Sequence, residues 1–352
     1  MIIAVLLLLS LGITVIYTSS LTLAIQQLIF SLVGFIFYFL LRTFDYKNLK
    51  VLIKPSYIII FLFLIFTLFL GIETRGSVRW IPLGPFNFQP SEFAKPILIL
   101  ALAAFWSQNS ASWRNIFKSL LILLPIAALI FEQPDLGTTL TVVFIWAAML
   151  IASNISLIKL GMLGFLGMMG GPLGWFTLQE YQKQRLTTFL QPNIDPLGAG
   201  FHVIQSTIAV GSGQILGRGL GRGTQSRLQF LPEFRTDFIF AFIAEELGFL
   251  GSFIVLTLYG LLFFLCFRLL SHTEDRFGEL IIIGVMGMLF FQIVVNIGMN
   301  IGIMPVTGIT LPFLSYGGSS IVTSLISMGL VSSVARFGVK HSKLDVSSYS
   351  FT

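Results

Sequence analysis

Ten long apolar segments divide the 352 residues of the sequence, and they constrain its fold more than any other feature. A helix needs about 17 to 25 apolar residues to cross the roughly 30 Å hydrocarbon core of a bilayer. The candidate spans lie near Met1–Tyr17, Leu21–Leu41, Tyr57–Ile72, Ser91–Trp106, Phe117–Phe131, Leu136–Ile151, Leu157–Leu178, Phe238–Leu270, Leu280–Met299 and Ile309–Val334. The pattern predicts an all-α polytopic membrane protein of about ten transmembrane helices.

The composition excludes a water-soluble fold. Hydrophobic residues make up 55% of the chain and charged residues only 10%, whereas soluble domains carry roughly a quarter charged residues. The net charge of +6 does not indicate a nucleic-acid partner, because the basic residues are scattered between apolar segments instead of forming one patch. Cys266 is the single cysteine, so the sequence predicts neither an internal disulfide nor a cysteine metal site.

Charges in the short loops predict the orientation in the membrane. An even number of spans puts both termini on one side, and short cytoplasmic loops carry an excess of lysine and arginine. The basic residues of that side are Arg42, Lys47, Lys50, Lys54, Arg114, Lys118, Lys159, Arg268, Arg276, Arg336, Lys340 and Lys343. Both termini are therefore expected in the cytoplasm.

The long polar segment, about residues 179–236, is expected on the outer side of a single membrane domain that covers residues 1–352. It is rich in Gln, Gly, Arg and Pro and lacks a run long enough to span. Structureless loops of this length are uncommon in compact domains, so the segment is expected to form short helices or re-entrant pieces. The glycine-rich stretch Gly211–Gly223 is expected to be its flexible centre.

Asp237 is the first candidate for catalysis, because it lies where the polar segment re-enters the membrane, directly before Phe238. A partly desolvated carboxylate at the mouth of an apolar cavity suits a general base. The alternative is a purely structural aspartate that stabilises the N-terminus of the following helix.

Two pairs of charged residues lie inside predicted spans. Glu245 and Glu246 lie about 12 to 14 Å beyond Asp237 along one helix. Each acts either as a charge-paired packing anchor or directly in catalysis. Intramembrane charges are costly, so at least one glutamate is expected to contact a buried lysine or arginine. Glu92 and Lys95 share a helix face at i, i+3. They either pair with each other or line an outer cavity with Asp237, where Lys95 would bind a phosphate or a deeper glutamate.

Asp135 and Ser315 precede or begin further spans. Asp135 is expected to cap the helix that follows it, with substrate contact as the alternative. Ser315 lies in LPFLSYGGSS, a small and hydroxylated stretch that either packs closely against another helix or forms a polar cavity wall.

Several cations of the polar segment could bind a diphosphate, because a guanidinium group engages phosphate oxygens in a bidentate manner. They are Lys183, Arg185, Arg218, Arg222 and Arg227. Anionic lipid headgroups are an equally good partner for them. The sequence lacks a P-loop, HExxH and GxSxG, and its three scattered histidines do not predict a metal site.

Four motifs together resemble the SEDS family of shape, elongation, division and sporulation proteins. They are RWIPLGPFNFQPSEFAK, QPDLGTT, the stretch from YQKQRLTTF to FIAEELGFLG, and LPFLSYGGSS, and in order they cover essentially the whole chain. Within the family, GTQSRLQFLPE resembles the RodA branch more than FtsW. The family's HTDF-type motif matches RTDF, which ends at Phe238, with Arg235 in place of the histidine, and its FLDP motif has Gln191 in place of the aspartate.

The resemblance implies a glycosyltransferase that polymerises lipid II into glycan strands outside the cytoplasmic (inner) membrane during cell elongation and shape maintenance. It implies Asp237 as the essential residue, a class B penicillin-binding protein as partner, and contacts with other membrane proteins of the elongation complex. The cations named above, Lys95 or a divalent ion such as Mg²⁺ or Mn²⁺ would stabilise the leaving diphosphate. A lipid II flippase and a noncatalytic scaffold for a cell-wall synthase are the alternatives.

Overall fold

The computed structural model describes residues 1–74, 77–83, 86–191, 200–223 and 234–339. Arg227, Lys340 and Lys343 lie outside the described residues, as does most of the GTQSRLQFLPE motif.

Helices dominate the described part of the chain, and each predicted span corresponds to one of them. In chain order the helices are α1 (Ile2–Tyr17), α2 (Leu21–Thr43), α3 (Ile53–Leu70), α4 (Pro90–Trp106), α5 (Trp113–Glu132), α6 (Leu136–Ala152), α7 (Leu157–Thr177), α8 (Glu180–Leu190), α9 (Phe201–Ser212), α10 (Ile239–Leu270), α11 (Arg276–Asn300) and α12 (Gly318–Phe337). Six helices are long and apolar enough to cross a membrane, and shorter apolar helices accompany them. The protein is therefore a multi-pass membrane protein, and the predicted fold class is confirmed.

A small antiparallel sheet between α3 and α4 was not predicted. Its strands are β1 (Ile72–Thr74), β2 (Ser77–Leu83) and β3 (Phe86–Phe88), in the order β1-β2-β3. The sequence there indicated only a turn rich in proline and glycine, and the alternation of residues along β2 is too short to give a clear period-2 pattern.

The last span begins later than predicted. Helix α12 starts at Gly318, whereas the apolar pattern placed its start near Ile309. Pro312 lies in the intervening segment and Phe313 has a φ of +66°, a backbone conformation that a helix does not contain. The side-chain hydroxyl of Ser315 accepts a hydrogen bond from the backbone N–H of Leu311 (2.8 Å), which closes an irregular turn. Composition alone cannot distinguish such a turn from a helix.

The core lies around α11 and α12, which are largely buried, while the outer helices expose apolar side chains such as Ile36 and Phe264. Small residues permit the close packing at the centre. A Cβ atom on Gly329 of α12 would lie 3.0 Å from the Cα of Tyr38 in α2. The exposed apolar surface is the part that lipid would cover.

The glycine-rich stretch after α9 is not a flexible centre, because it docks on α10. Helix α10 is kinked at Gly248, whose φ is +65°. Next to this kink the N–H of Arg218 donates to the carbonyl oxygen of Glu245 (2.9 Å), and the N–H of Phe249 donates to that of Gln214 (2.8 Å). Glycine is needed here for close approach of two backbones.

Gly217 is the strictest of these contacts. It has a φ of +80°, and a Cβ atom there would lie 2.2 Å from the carbonyl oxygen of Glu246. We expect Gly217→Ala to destabilise the protein by at least about 2 kcal/mol, since it combines left-handed backbone strain with a backbone clash. The matched control is Gly211→Ala, where a Cβ would meet nothing within 4 Å. Thermal unfolding of the two purified variants checks the prediction, and equal melting temperatures would contradict it.

Candidate functional site

A cavity of about 360 Å³ brings together polar residues from distant parts of the chain. The charged and amide side chains on its wall belong to Arg79, Asn87, Gln89, Glu92, Asp135, Asp237 and Gln292. Three residues singled out from the sequence, Glu92, Asp135 and Asp237, therefore meet at one cavity. Aromatic residues such as Trp80 and Tyr316 complete the wall, so the cavity offers both charge and apolar surface to a ligand.

The backbone around Asp237 is held by two elements that follow it in the chain. Its carbonyl oxygen accepts hydrogen bonds from the side-chain amides of Asn296 (2.9 Å) and Asn300 (3.0 Å) in α11. The carbonyl oxygen of Thr236 accepts one from the hydroxyl of Ser315 (2.5 Å), and that of Arg235 accepts one from the N–H of Tyr316 (2.8 Å). Three successive carbonyls are held, so the backbone position from which the Asp237 side chain projects is fixed.

The guanidinium group of Arg185 and the carboxylate of Asp237 both approach Gly308. A Cβ atom on Gly308, which has a φ of +75°, would lie 3.6 Å from Oδ2 of Asp237 and 3.9 Å from Nη1 of Arg185. Glycine at this position thus keeps the backbone small where an acid and a cation face the same space. Of the described cations singled out in the polar segment, Arg185 is the one that this geometry places near the Asp237 carboxylate.

Helix α8 carries Arg185 and is anchored to the turn before α6. The hydroxyl of Tyr181 donates to the carbonyl oxygen of Pro134 (2.7 Å), and the guanidinium group of Arg185 lies 5.6 Å from the Tyr181 ring centroid. Burial raises the pKa of Tyr181 above its usual value, which keeps its hydroxyl a donor. Tyr181 therefore positions Arg185 near the Asp237 carboxylate.

Glu92 and Lys95 pair with each other, as the simpler of the two alternatives had it. Nζ of Lys95 lies 2.8 Å from Oε1 of Glu92, and the two residues are 2% and 6% exposed. Oε2 of Glu92 is buried and has no hydrogen-bond partner among the described residues. Glu92 thus reaches the cavity wall with one oxygen held by Lys95 and the other buried without a hydrogen-bond partner among the described residues.

Asp135 both caps α6 and contacts the cavity. Its carboxylate accepts hydrogen bonds from the backbone N–H of Thr138 (3.1 Å) and from the side-chain amide of Gln89 (3.1 Å). Arg79 lies 3.5 Å away and remains partly exposed. Capping of α6 and contact with a substrate are therefore compatible roles for Asp135, because the capping carboxylate also lies beside Arg79 on the cavity wall.

The other predicted charged residues do not line this cavity. Glu245 is fully buried, and Glu246 accepts a hydrogen bond from the N–H of Gly221 (2.7 Å). The hydroxyl of Thr18 is a second donor to Glu246, at 3.4 Å. These contacts give Glu246 a structural role at the glycine-rich stretch.

Of the described cations singled out in the polar segment, Lys183, Arg218 and Arg222 do not line the Asp237 cavity. Lys183 pairs with Glu180 (2.9 Å) on the exposed face of α8. Arg218 and Arg222 are exposed on the glycine-rich stretch. A merely basic composition could not indicate which cation reaches the site.

The sequence reasoning missed several residues that build the site, chiefly Arg79, Asn296, Asn300 and Gln292. A signal existed for the α11 residues, since polar side chains inside an apolar span are costly and usually face a partner. Arg79 lies in the RWIPLGPFNFQPSEFAK motif, but it was not predicted as a site residue. Its position before Trp80, at the rim of the predicted membrane, was not recognised as part of a cavity.

The described residues do not form a group of three or more His, Cys, Asp or Glu that could hold a metal ion.

Asn300 is expected to be essential for the local structure. Its amide donates to the carbonyl of Asp237, and its Oδ1 accepts from the N–H of Ala241 (3.0 Å). Asn300→Ala leaves the buried N–H of Ala241 unpaired, which costs about 1–3 kcal/mol. Thermal unfolding should show this loss, while Asn48→Ala, at an exposed asparagine, should not. Equal stability of both variants would contradict the assigned role.

Comparison with known proteins identifies a family. The family of FtsW, RodA and SpoVE, described as cell cycle proteins, matches residues 1–340. Stage V sporulation protein E of Bacillus subtilis is 37% identical, with 96% of each chain covered. Peptidoglycan glycosyltransferase MrdB of Escherichia coli is 41% identical over 79% of this chain and 76% of its own length.

Solved structures are similar over almost the full length. A chain from a peptidoglycan synthase complex, studied for its coordination of polymerization and crosslinking, has a TM-score of 0.83 and 36% identity. That similarity covers 95% of this chain and 96% of the other. The rod shape determining protein RodA of Thermus thermophilus has a TM-score of 0.73 and 31% identity, with 96% of each chain covered.

Proposed function

Because the chain belongs to the family of FtsW, RodA and SpoVE cell cycle proteins, we propose that it is a peptidoglycan glycosyltransferase that polymerises lipid II. The names of its relatives support this activity. The observation that carries it is the position of Asp237 on the wall of a polar cavity, with Arg185 beside it. An acid and a cation at one point suit a reaction that moves a proton and releases a diphosphate.

In the proposed reaction, Asp237 accepts the proton from the sugar 4-hydroxyl of one lipid-linked disaccharide. The hydroxyl oxygen forms a bond with the anomeric carbon of a second molecule. The bond from that carbon to the diphosphate oxygen breaks, and undecaprenyl diphosphate leaves with the bonding electron pair. The fixed backbone around Asp237 limits the reorganisation that the proton transfer requires.

Arg185 and Arg79 are the cations best placed to stabilise the leaving diphosphate, the first beside Asp237 and the second on the cavity wall. Lys183, Arg218, Arg222 and Arg227 remain candidates for more distant contacts. A divalent ion, if used, would bind to cavity carboxylates and substrate phosphate oxygens together.

The proposed location is the cytoplasmic membrane, with both termini in the cytoplasm and the cavity open to the outer side. The proposed protein partner is a class B penicillin-binding protein that crosslinks the glycan. Similarity to a chain of a peptidoglycan synthase complex supports such a pairing. Other membrane proteins of the elongation complex would join the same assembly.

A reconstitution separates this proposal from a lipid II flippase and from a noncatalytic scaffold. Purified protein in liposomes that contain lipid II is assayed with and without its transpeptidase partner, and glycan strands are resolved on a gel. Polymer that requires the wild-type chain supports the proposal. Translocation without polymer would favour the flippase, and polymer that forms only when another polymerase is added would favour the scaffold.

A further inference from the structure

A second cavity, which we call the α1–α10 groove, lies between these two helices and has a volume of about 350 Å³. Leu7, Leu11 and Val15 of α1 face Leu247 and Leu258 of α10 across it. Leu220 of the glycine-rich stretch also lines it. The groove and the Asp237 cavity share no lining residue, so the groove is a separate feature of the molecule.

The groove is apolar even where its wall contains hydroxyl groups. The hydroxyl of Ser10 donates to the carbonyl oxygen of Leu7 (2.9 Å), and that of Thr14 donates to the carbonyl oxygen of Ser10 (2.8 Å). Both protons are thereby used within α1. The groove consequently suits a hydrocarbon chain better than a polar ligand.

The length of the groove matches one leaflet of a bilayer. From Leu7 to Val15 the wall extends about 12 Å along α1, and from Leu247 to Leu258 about 16 Å along α10. Half of the hydrocarbon core is roughly 15 Å thick. A single acyl chain would fill this depth, whereas an undecaprenyl chain is much longer.

Two cations flank the groove at the end that Leu220 covers. Arg218 and Arg222 lie two residues before and after Leu220, and both are exposed. The stretch is held in place, because the N–H of Arg218 bonds to the carbonyl oxygen of Glu245 and the N–H of Gly221 bonds to the Glu246 carboxylate. The backbone that carries both cations is therefore held at the level where a headgroup would lie.

We propose that the α1–α10 groove binds one anionic phospholipid, with an acyl chain between the helices and the phosphate at Arg218 and Arg222. The guanidinium groups supply the charge that complements a phosphate, and the groove supplies the apolar wall. The bound lipid would contact both α1 and the glycine-rich stretch and would thereby connect these two parts of the protein.

Native mass spectrometry of the full chain, purified from vesicles of phosphatidylcholine with phosphatidylglycerol, tests the proposal. Wild-type protein should retain one phosphatidylglycerol. Arg218→Gln and Arg222→Gln should each weaken retention by about fivefold. Ser10→Phe, which fills the groove without changing charge, should abolish it. The matched controls are the double variant Arg114→Gln/Lys118→Gln, which removes two exposed charges elsewhere, and Ile3→Phe at a lipid-facing position 70% exposed.

The proposal is overturned by retention in the Arg218/Arg222 double variant, or by equal loss in both charge-removal variants. Retention in Ser10→Phe would reduce the site to a headgroup patch and overturn it as well. Displacement of phosphatidylglycerol by added undecaprenyl diphosphate would assign the groove to the substrate lipid instead. The melting temperature of each variant is measured as well, so that a loss of lipid binding is distinguished from a loss of folded structure.

Discussion

Asp237→Asn is expected to lower the rate of lipid II polymerisation by about 10²- to 10⁴-fold, the usual contribution of a positioned general base. The amide keeps the size of the side chain but cannot accept the sugar proton. The backbone contacts to Asn296, Asn300 and Ser315 all involve main-chain carbonyls of residues 236 and 237, and they survive the substitution. The measurement is the initial rate of glycan formation by purified protein at saturating lipid II.

The matched control is Glu180→Gln, which removes a carboxylate whose side chain is 91% exposed on neighbouring helix α8. Its polymerisation rate should stay within about twofold of wild type, since surface charges are screened by salt. Wild-type melting behaviour of Asp237→Asn would exclude misfolding as the cause of its lost activity. A variant Asp237→Asn that polymerises at the wild-type rate would remove the proposed mechanism.

Lys95→Met is expected to destabilise the protein by about 3–5 kcal/mol, because it leaves the Glu92 carboxylate buried without its cation. The side chains of this pair are only 2% and 8% exposed. The double variant Glu92→Gln/Lys95→Met removes both charges and should recover most of the stability. Thermal unfolding in detergent measures all three proteins.

A second i, i+3 pair provides the control for Lys95→Met. Lys183 and Glu180 lie 2.9 Å apart with side chains 25% and 91% exposed, so Lys183→Met should cost no more than about 1 kcal/mol. Two pairs of identical chemistry and spacing thus test burial alone. Equal melting temperatures of Lys95→Met and Lys183→Met would contradict the role of the buried pair.

Local patterns predicted the helices and offered the Glu92–Lys95 pairing as one of two alternatives, because both depend on spacing within one segment. The apolar runs correspond to helices, and an i, i+3 pair is set by helix geometry alone. Asp135 was correctly expected to cap α6 for the same reason. These features need no knowledge of what lies across the protein.

Contacts between distant segments could not be predicted in this way. Asn296 and Asn300 act on a carbonyl 59 and 63 residues earlier in the chain, and nothing in their own surroundings names that partner. The glycine-rich stretch was expected to be flexible because its composition indicates a freely rotating backbone. Composition does not show that α10 packs against this stretch. The start of α12 was misplaced because apolar residues with proline and serine form a turn here.

The hydrogen bonds that hold the backbone at Asp237 have a consequence for the order in which the protein assembles. The groups that hold it belong to α11 and to residues 315–316, which a ribosome makes after residue 237. During membrane insertion, the backbone of Asp237 therefore reaches its final conformation only when α11 and residues 315–316 have packed against it. In a partly inserted chain, the backbone of Asp237 is therefore not yet held by these contacts. The proposed polymerase would gain its activity as a last step of its own assembly.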